Sequence, residues 1–379
     1  MLIFQGLRSL EFFLFSSNCD ILEKKKRLTF CAVRQKVGSR ETRGVENMKK
    51  KLSIKDISEM SGVSIATVSR VINKNGRYSK ETEERVKAVI EQNHYVPNMV
   101  AKGLRTNRMN NIGIIVPDIT NEFFVQLVRE IEKSLFDSNY SSFICNTNEE
   151  AEIERKHLKM LRTQNVSGVI YISGTDMADY SDLLDTPTVF IDRIPKNDNG
   201  KYVVIESDNW RGGFLAGKLL LDKGCRNIVM LTDRRRLSSQ RERVDGFLEA
   251  HRQAGVPVRE DSIVDVEQVT FRQAYNAVCG LLEEDRHFDG VFASTDWLAM
   301  GAYVALSERR IRVPQDVKIV GFDDISVAEY NAKPITTIHQ QVDMIGKLAA
   351  RSILDLIQNK PVHLRHHTVP VYLVERATT

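Results

Sequence analysis

The sequence has few of the residues and none of the motifs that usually carry covalent or metal chemistry. Only 5 of its 379 residues are cysteine and 8 are histidine. No two cysteines have the CxxC spacing of a zinc or redox site, and the motifs GxSxG, HExxH and GxxxxGK[ST] are absent. We therefore predict no metal, no cofactor and no enzymatic activity, and the scarce cysteines favour a reducing cytoplasm.

Long apolar runs are missing as well. No stretch reaches the roughly 20 apolar residues that a membrane-spanning helix needs. Residues 1–15 are apolar, but Arg8 and Glu11 interrupt them and no small-residue cleavage site follows, so a signal peptide is not indicated. Residues 1–47 show no periodicity, and Met48 is followed directly by three lysines. We predict that 1–47 is an unassigned extension and that Met48 is the natural start.

Positive charge is concentrated towards the N-terminus. Residues 48–108 contain 13 Lys and Arg against 6 Asp and Glu, whereas residues 109–379 contain 32 against 39. The chain as a whole has a net charge of only +4. A basic head on an acidic body predicts that only the head contacts a polyanion such as DNA.

Within this head, residues 52–73 have the pattern of a helix-turn-helix, with Gly62 in the turn. The other face of the second helix has short or basic side chains that fit the DNA major groove. A third helix is predicted from Ser79, its N-cap, to about Asn93, and 48–95 are assigned to a DNA-binding domain. The buried stripe is predicted from apolar residues that recur near the helical period of 3.6, namely Ile54, Ile57, Met60, Val63, Val68, Val71 and Ile72.

Residues 96–110 are predicted to form a hinge. Pro97 disfavours helical geometry in the residue before it, which places a boundary here. The short segment that follows contains Gly103, which lowers its helical propensity, and helices of this length are marginal in water. We expect this segment to fold only on DNA.

From residue 111 onwards, short β-branched runs alternate with amphipathic helices. This alternation predicts an α/β fold with parallel sheets, and about ten strands in two similar series predict two doubly wound lobes. A single terminal strand is predicted near residues 368–373. Ligands of such sheets bind beyond the carboxyl ends of the strands, so the loops that follow the strands are the candidate ligand site.

Several motifs, in this order, resemble the lactose/galactose repressor family of bacterial transcription regulators. They are VSIATVSRVIN at 63–73, YVPN at 95–98 with LR at 104–105, VPDITNEFF at 116–124, RVDGF at 243–247 and VGFDD at 320–324. The resemblance covers essentially all of 48–379, and the body is similar to periplasmic sugar-binding proteins of the ribose type. It implies that 111–379 form a two-lobed effector-binding and dimerisation domain.

The resemblance also implies how the head binds DNA. The second helix would enter the major groove and place Ile65, Ala66 and Arg70 near base edges. Contacts that position the protein on the DNA backbone would come from Ser53, Thr67, Ser69 and Asn73, and Ser64 is a further predicted DNA-binding residue. The hinge would contribute Asn98, Ala101 and Leu104, with Leu104 as a wedge between base steps in the minor groove. The alternative is a helical bundle whose polar face is merely solvated.

The loops after the predicted strands combine aromatic rings with Asp and Arg side chains. This combination suits a sugar, whose apolar face stacks on a ring while its hydroxyls bind charged groups. The arginines at 234–236 are interpreted as a solvated loop. Two positions depart from the family pattern, because Glu122 stands where proline is common and Ser173 replaces an asparagine. The predicted effector-binding residues are Asp118, Asn121, Phe123, Phe124, Ser173, Asp192, Arg193, Arg243, Phe271, Asp296, Asp323 and Gln340.

The leading prediction is a repressor that binds a palindromic operator as a homodimer and responds to a small, ribose-like sugar. Three alternatives stay open: a purine- or nucleoside-responsive repressor, a global catabolite regulator controlled by a phosphoprotein, and a solute receptor for a transporter. The sequence also leaves open whether the ligand releases the protein from DNA or recruits it.

The substitution Leu104→Ala should weaken operator binding strongly and leave effector affinity nearly unchanged, because it removes the wedge but no part of the ligand cleft. Fluorescence anisotropy with a palindromic operator obtained by in vitro selection measures the first quantity, and calorimetry measures the second. Equal operator affinity of variant and wild type would contradict the wedge.

Overall fold

The computed structural model describes residues 52–95, 109–172, 186–192, 202–235 and 237–379. They belong to two compact units, one within residues 1–97 and the other within 98–379. The predictions for 1–47, for Asn98, Ala101 and Leu104 in the hinge, and for Ser173 and Arg193 lie outside the described residues. None of the described helices is long and apolar enough to cross a membrane.

The N-terminal unit contains three helices: α1 (Ile54–Ser61), α2 (Ile65–Asn73) and α3 (Lys80–Gln92). Each begins at a serine whose hydroxyl accepts a hydrogen bond from the backbone N–H three residues ahead. The N-cap predicted at Ser79 is thereby confirmed. Gly62 ends α1 with φ of 69°, a left-handed conformation that glycine adopts without strain. The tight turn between α1 and α2 depends on this residue.

A small apolar core holds these helices together and is formed by Ile57, Val68, Val71, Val86 and Tyr95. Met60, which the sequence assigned to the buried stripe, is instead 50% exposed. Ser61 takes the inward position one turn after Ile57, where its hydroxyl donates to the Ile57 carbonyl oxygen at 2.6 Å. The helical period is therefore right, but a serine occupies the buried place.

The C-terminal unit is built on two six-stranded sheets, each of which defines a lobe. The strands of the N-lobe are β1 (Met109–Val116), β2 (Ser141–Asn146), β3 (Val166–Ile172), β4 (Thr188–Ile191), β5 (Val203–Ser207) and β11 (His366–Val369). Those of the C-lobe are β6 (Ile228–Asp233), β7 (Ile263–Val266), β8 (Gly290–Ala293), β9 (Lys318–Asp323), β10 (Thr336–Gln340) and β12 (Val371–Val374). The spatial orders are β11-β5-β4-β3-β1-β2 and β12-β10-β9-β8-β6-β7.

Helices pack against both sheets and leave the carboxyl ends of the strands open. The N-lobe has α4 (Glu122–Asp137), α5 (Ala151–Thr163) and α11 (Val342–Ile357). The C-lobe has α6 (Asn209–Asp222), α7 (Ser238–Ala254), α8 (Phe271–Glu283), α9 (Asp296–Glu308) and the short α10 (Ser326–Tyr330). Within the described residues, the chain passes from one lobe to the other after β5, after β10 and between β11 and β12.

The prediction of two doubly wound lobes is confirmed, with differences in the count of strands. The described residues contain twelve strands rather than about ten, because β5 and β10 were not predicted. The single terminal strand is in fact two strands in different sheets. β11 pairs with β5 in parallel, whereas β12 pairs antiparallel with β10. Pro370 separates them, since it lacks the N–H that a continuous ladder would need.

Helices α6 and α7 pack backbone against backbone through two glycines. A Cβ atom on Gly246 would lie 1.9 Å from the carbonyl oxygen of Trp210, and one on Gly213 would lie 2.0 Å from that of Arg243. This close approach places Arg243 on α7 beside Asn209 at the start of α6, with 2.9 Å between Nε and Oδ1. The glycines therefore position a residue of the predicted ligand site.

The substitution Gly246→Ala should destabilise the protein by about 3 kcal/mol or more, because the added methyl collides with backbone that cannot retreat. Gly280→Ala on α8 is the matched control, since a Cβ atom there meets nothing within 4 Å. Because alanine has a higher helical propensity than glycine, Gly280→Ala should raise stability by about 0.5–1 kcal/mol. Thermal unfolding followed by circular dichroism measures both, and equal melting temperatures would refute the close packing.

Candidate ligand cleft and nucleic-acid interface

A cavity of about 290 Å³ lies between the two lobes, at the carboxyl ends of their strands. Residues at or just after the ends of β1, β2, β4, β6, β7, β8 and β9 contribute to it, together with the start of α7. The described lining residues are Asp118, Asn121, Phe123, Phe124, Asn148, Glu149, Asp192, Asp233, Arg235, Leu237, Ser239, Gln240, Arg243, Gln268, Val269, Thr270, Thr295 and Asp323.

The cavity brings together seven of the twelve residues predicted from the sequence, namely Asp118, Asn121, Phe123, Phe124, Asp192, Arg243 and Asp323. Three others lie behind or beside the cavity wall. Asp296 is fully buried, where it accepts hydrogen bonds from the Thr337 hydroxyl at 2.6 Å and from the Ile325 N–H at 3.0 Å. Gln340 donates to Asp323 at 2.7 Å, and Phe271 stacks on Tyr275 with 6.3 Å between ring centroids.

The N-lobe wall is set by the start of α4. Asn121 caps this helix by accepting a hydrogen bond from the Phe123 N–H at 3.1 Å. The cap fixes Phe123 and Phe124 in the first turn, where their rings meet edge to face with centroids 5.3 Å apart. Aromatic pairs of this kind favour an edge-to-face arrangement and present apolar faces to a ligand.

The C-lobe wall is centred on Arg243, which is only 3% exposed. Its Nε donates to Asn209 at 2.9 Å, its Nη1 donates to the Ser294 carbonyl oxygen at 2.6 Å, and its guanidinium carbon lies 3.6 Å from the centroid of the Phe322 ring. Asp323 is 3.8 Å from Nη1. These contacts fix the plane of the guanidinium at the cavity wall.

Two aspartates, one from each lobe, enter the cavity from strained backbone. Asp192 has φ of 66° and Asp323 has φ of 115°, and residues other than glycine rarely adopt positive φ. Oδ1 of Asp192 is buried and has no hydrogen-bond partner among the described residues. Strained residues and unpaired buried acceptors concentrate at functional sites, so both point to a ligand.

Buried carboxyl groups surround the cavity and hold their protons more tightly than usual. Burial raises the pKa of Asp323 to about 7, although Arg243 and the hydrogen bond from Gln340 oppose this. Burial and repulsion from Asp323 raise the pKa of Asp296 well above its ordinary value. A protonated carboxyl group at this site is able to donate a hydrogen bond as well as accept one.

Several lining residues were missed by the sequence analysis. Asn148 and Glu149 follow β2, and Gln268 follows β7, so the rule that ligands bind beyond strand ends applies to them equally. Arg235 was interpreted as part of a solvated loop, but the structure places it in the cavity wall. Its guanidinium contacts Asp233, two residues before it, at 2.5 Å and Glu149, 86 positions away in sequence, at 2.7 Å.

The predicted DNA-reading face is exposed on α2. Ser64, Ile65, Ala66 and Arg70 are exposed, whereas Thr67, Ser69 and Asn73 are half-buried. Ser53 and Ser64 are N-caps, and Asn73 donates to the Ser69 carbonyl oxygen at 2.8 Å. Ile65 is 42% exposed at the first position of the helix. The exposed side chains of Ile65 and Arg70 are available for contacts in a groove.

Among the described residues, no group of three or more His, Cys, Asp or Glu side chains is placed to hold a metal ion.

The helix-turn-helix unit and the two-lobed body with a cleft together define a class of protein, the DNA-binding transcription regulators. A model of bacterial regulatory proteins of the lacI family matches residues 53–98, and a model of periplasmic binding protein-like domains matches 218–379.

Named relatives cover most of the chain. The ribose operon repressor of Halalkalibacterium halodurans is 34% identical over 330 residues, which are 86% of this chain and 97% of the relative. The HTH-type transcriptional repressor PurR of Pasteurella multocida is 32% identical over 312 residues, which are 81% of this chain and 92% of that one. The chain belongs to the lacI family, whose members are transcription regulators and not enzymes.

Solved structures of the family have the same fold. The lac repressor dimer bound to operator and the anti-inducer ONPF has a TM-score of 0.78 and 25% identity, covering 87% of this chain and 99% of that one. A LacI family regulator from Enterococcus faecium with bound ribose has a TM-score of 0.64 and 30% identity, covering 71% and 98%.

The raised pKa of Glu242 on α7 makes the stability of the folded protein depend on pH. Burial raises this pKa to about 7, repulsion from Glu206, Asp192 and Asp208 adds to this, and His366 lowers it. Because the folded-state pKa lies above the ordinary value, the associated stability is present at low pH and is lost as pH rises through about 7.

We expect Glu242→Gln to reduce the loss of melting temperature between pH 5 and pH 8, and to make the protein more stable than wild type at pH 8. Glu284→Gln, at an exposed position of the same lobe, should leave the pH profile unchanged. Thermal unfolding across this pH range provides the measurement. If melting temperature changes with pH equally in Glu242→Gln and wild type, Glu242 is not the source of the pH-dependence.

Proposed function

We propose that this chain is a sugar-responsive repressor. In this proposal residues 48–95 bind a palindromic operator, 96–110 form a hinge, 111–379 bind the effector and dimerise, and 1–47 take no part. The effector is an uncharged pentose, ribose or a close relative. The observation that carries the proposal is a small cavity that places two aromatic rings beside carboxylates and a buried arginine.

The chemistry of the lining favours a polyhydroxylated, uncharged ligand. Five carboxylates line the cavity, Asp118, Glu149, Asp192, Asp233 and Asp323, against two guanidinium groups among the described residues. Carboxylates accept hydrogen bonds from hydroxyl groups, while their excess over arginine repels phosphate esters. Phe123 and Phe124 supply apolar faces for a sugar ring.

The size of the cavity also favours a small ligand. Its volume of about 290 Å³ lies at the lower end of the range of about 300–1,000 Å³ that is usual for small-molecule sites. A pentose fits this range better than a nucleoside. The relative named ribose operon repressor and the related structure with bound ribose support the same choice. A purine remains the second candidate, since other relatives are named PurR.

Each wall of the cavity has a distinct role in this proposal. Asp192 accepts ligand hydroxyl groups from the N-lobe, while Arg243 and Asp323 bind the ligand from the C-lobe. A ligand that contacts both walls stabilises one arrangement of the lobes over others. In a homodimer such a shift changes the spacing of the two hinges and hence of the two α2 helices, which read one half-site each through Ile65, Ala66 and Arg70.

The substitution Asp192→Asn tests this site without disturbing its backbone, because asparagine tolerates left-handed φ. D-ribose should bind wild type and bind the variant at least tenfold more weakly, since a hydrogen bond to a charged group is worth about 1.5–3 kcal/mol. Asp222→Asn, on the exposed end of α6, is the matched control and should bind as wild type does. Isothermal titration calorimetry measures all three.

The same titration with adenine, guanine and ribose 5-phosphate distinguishes the alternatives. Binding of a purine without binding of D-ribose would replace the proposal by a purine-responsive repressor. Gel shifts with the selected operator, with and without D-ribose, then determine whether the sugar weakens or strengthens DNA binding.

A further inference from the structure

In the described part of the chain, two side-chain contacts join the lobes away from the crossover segments. The first involves Glu122, the first residue of α4 in the N-lobe. Its carboxylate accepts a hydrogen bond from the Ser326 hydroxyl at 2.6 Å and from the Ser326 backbone N–H at 3.2 Å. Ser326 begins α10 in the C-lobe. These two residues are therefore 204 positions apart in sequence and in direct contact.

The second contact is an ion pair at the cavity wall. Arg235 of the C-lobe donates from both Nη atoms to Glu149 of the N-lobe, at 2.7 and 3.2 Å. Asp233 holds the same guanidinium from its own lobe, with Nε at 3.0 Å from both carboxylate oxygens. Both residues of this pair line the cavity, so a substitution there would change contacts with a ligand as well as the closure of the lobes.

Glu122 allows that separation because it does not line the cavity, although its neighbours Asn121 and Phe123 do. On the other side of the cleft, Ser326 follows the strained turn at Asp323 and Asp324, where φ is 115° and 62°. The contact therefore ties together the two segments that present ligand-facing groups from opposite lobes. It does so without offering an atom to the ligand.

We propose that Glu122 and Ser326 form an interlobe latch that stabilises the closed arrangement of the lobes and thereby raises effector affinity. Glu122 is a positioning residue in this role. The affinity claim rests on the proposed sugar-binding function, whereas the closure claim does not.

The expected change in effector affinity follows from the populations of the open and closed arrangements. A ligand that binds only the closed arrangement has an apparent affinity proportional to the closed fraction of the free protein. Hydrogen bonds to a carboxylate contribute enough for a change of about tenfold in an equilibrium constant. Loss of the latch should thus weaken effector binding by up to about tenfold, through a smaller closed fraction.

The substitutions are chosen to keep the fold intact. Glu122→Pro removes the carboxylate at the first position of a helix, where proline is well tolerated, and Asn121 before it already has the extended ψ of 118° that proline requires. Glu122→Ala is the second variant. Gln126→Ala is the matched control, because Gln126 donates to Oε1 of Glu122 at 2.8 Å within the N-lobe and does not cross the cleft.

The first experiment measures closure without ligand. Spin labels are placed through an unnatural amino acid at Lys159 on α5 and Asn276 on α8, two exposed positions in different lobes. The doubly labelled full chain is diluted into unlabelled chain, so that distances within one chain dominate in double electron–electron resonance. Glu122→Pro and Glu122→Ala should shift the distance distribution towards a second, open population, and Gln126→Ala should not. Unchanged distributions for both Glu122 variants would overturn the latch.

The second experiment measures D-ribose affinity by calorimetry in the same proteins. Glu122→Pro and Glu122→Ala should bind up to tenfold more weakly, Gln126→Ala should bind as wild type does, and adding Ser326→Ala to Glu122→Ala should cause no further loss. Additive losses in the double variant, or full affinity in a Glu122 variant with opened lobes, would refute the coupling of latch and affinity. If wild type fails to bind D-ribose, the sugar proposal falls, while the distance measurement still decides the latch.

Discussion

The buried guanidinium of Arg243 is the interaction on which the ligand cleft depends. A charge that is 3% exposed is costly unless every direction around it is filled by partners. Asn209, Ser294 and Phe322 supply these partners from α6, from the end of β8 and from β9. The arrangement requires α6 and α7 to approach within backbone contact, which Gly213 and Gly246 permit. The burial of Arg243 therefore depends jointly on the packing of α6 against α7 and on the positions of the strand ends.

The cleft combines groups that are costly to hold in the absence of a ligand. Asp192 and Asp323 stand on strained backbone, and a carboxylate oxygen of Asp192 is buried without a partner among the described residues. Burial, with added repulsion from neighbouring carboxylates, raises the pKa of Asp323 in the cavity wall and of Glu242 on α7. A polyhydroxylated ligand relieves these costs by donating hydrogen bonds. Asp192 belongs to the N-lobe and Asp323 to the C-lobe, so a ligand that contacts both would favour one arrangement of the lobes.

Cavity-lining residues were predicted from the sequence where the strand before them was recognisable from its residues. Asp118, Asn121 and Phe123 follow a strongly β-branched strand, and Arg243 stands in a recognisable motif. Arg235 was misread because its two partners, Asp233 and Glu149, belong to different lobes. Asp296 was assigned to the ligand, yet it turns inward to Thr337 and Ile325. Local spacing reports which loop a residue occupies, but not whether its side chain points to the cavity or away from it.

The sequence by itself determined the helix-turn-helix, the two α/β lobes and the end of the sheets where the cavity lies, because periodicity, capping residues and strand–helix alternation are local properties. Only the tertiary structure decided that β11 and β12 belong to different lobes, that Arg235 faces the cavity, and that Glu122 reaches Ser326. These features depend on contacts between segments that lie up to 204 residues apart. Such contacts follow from how the lobes pack, which no local pattern of residues encodes.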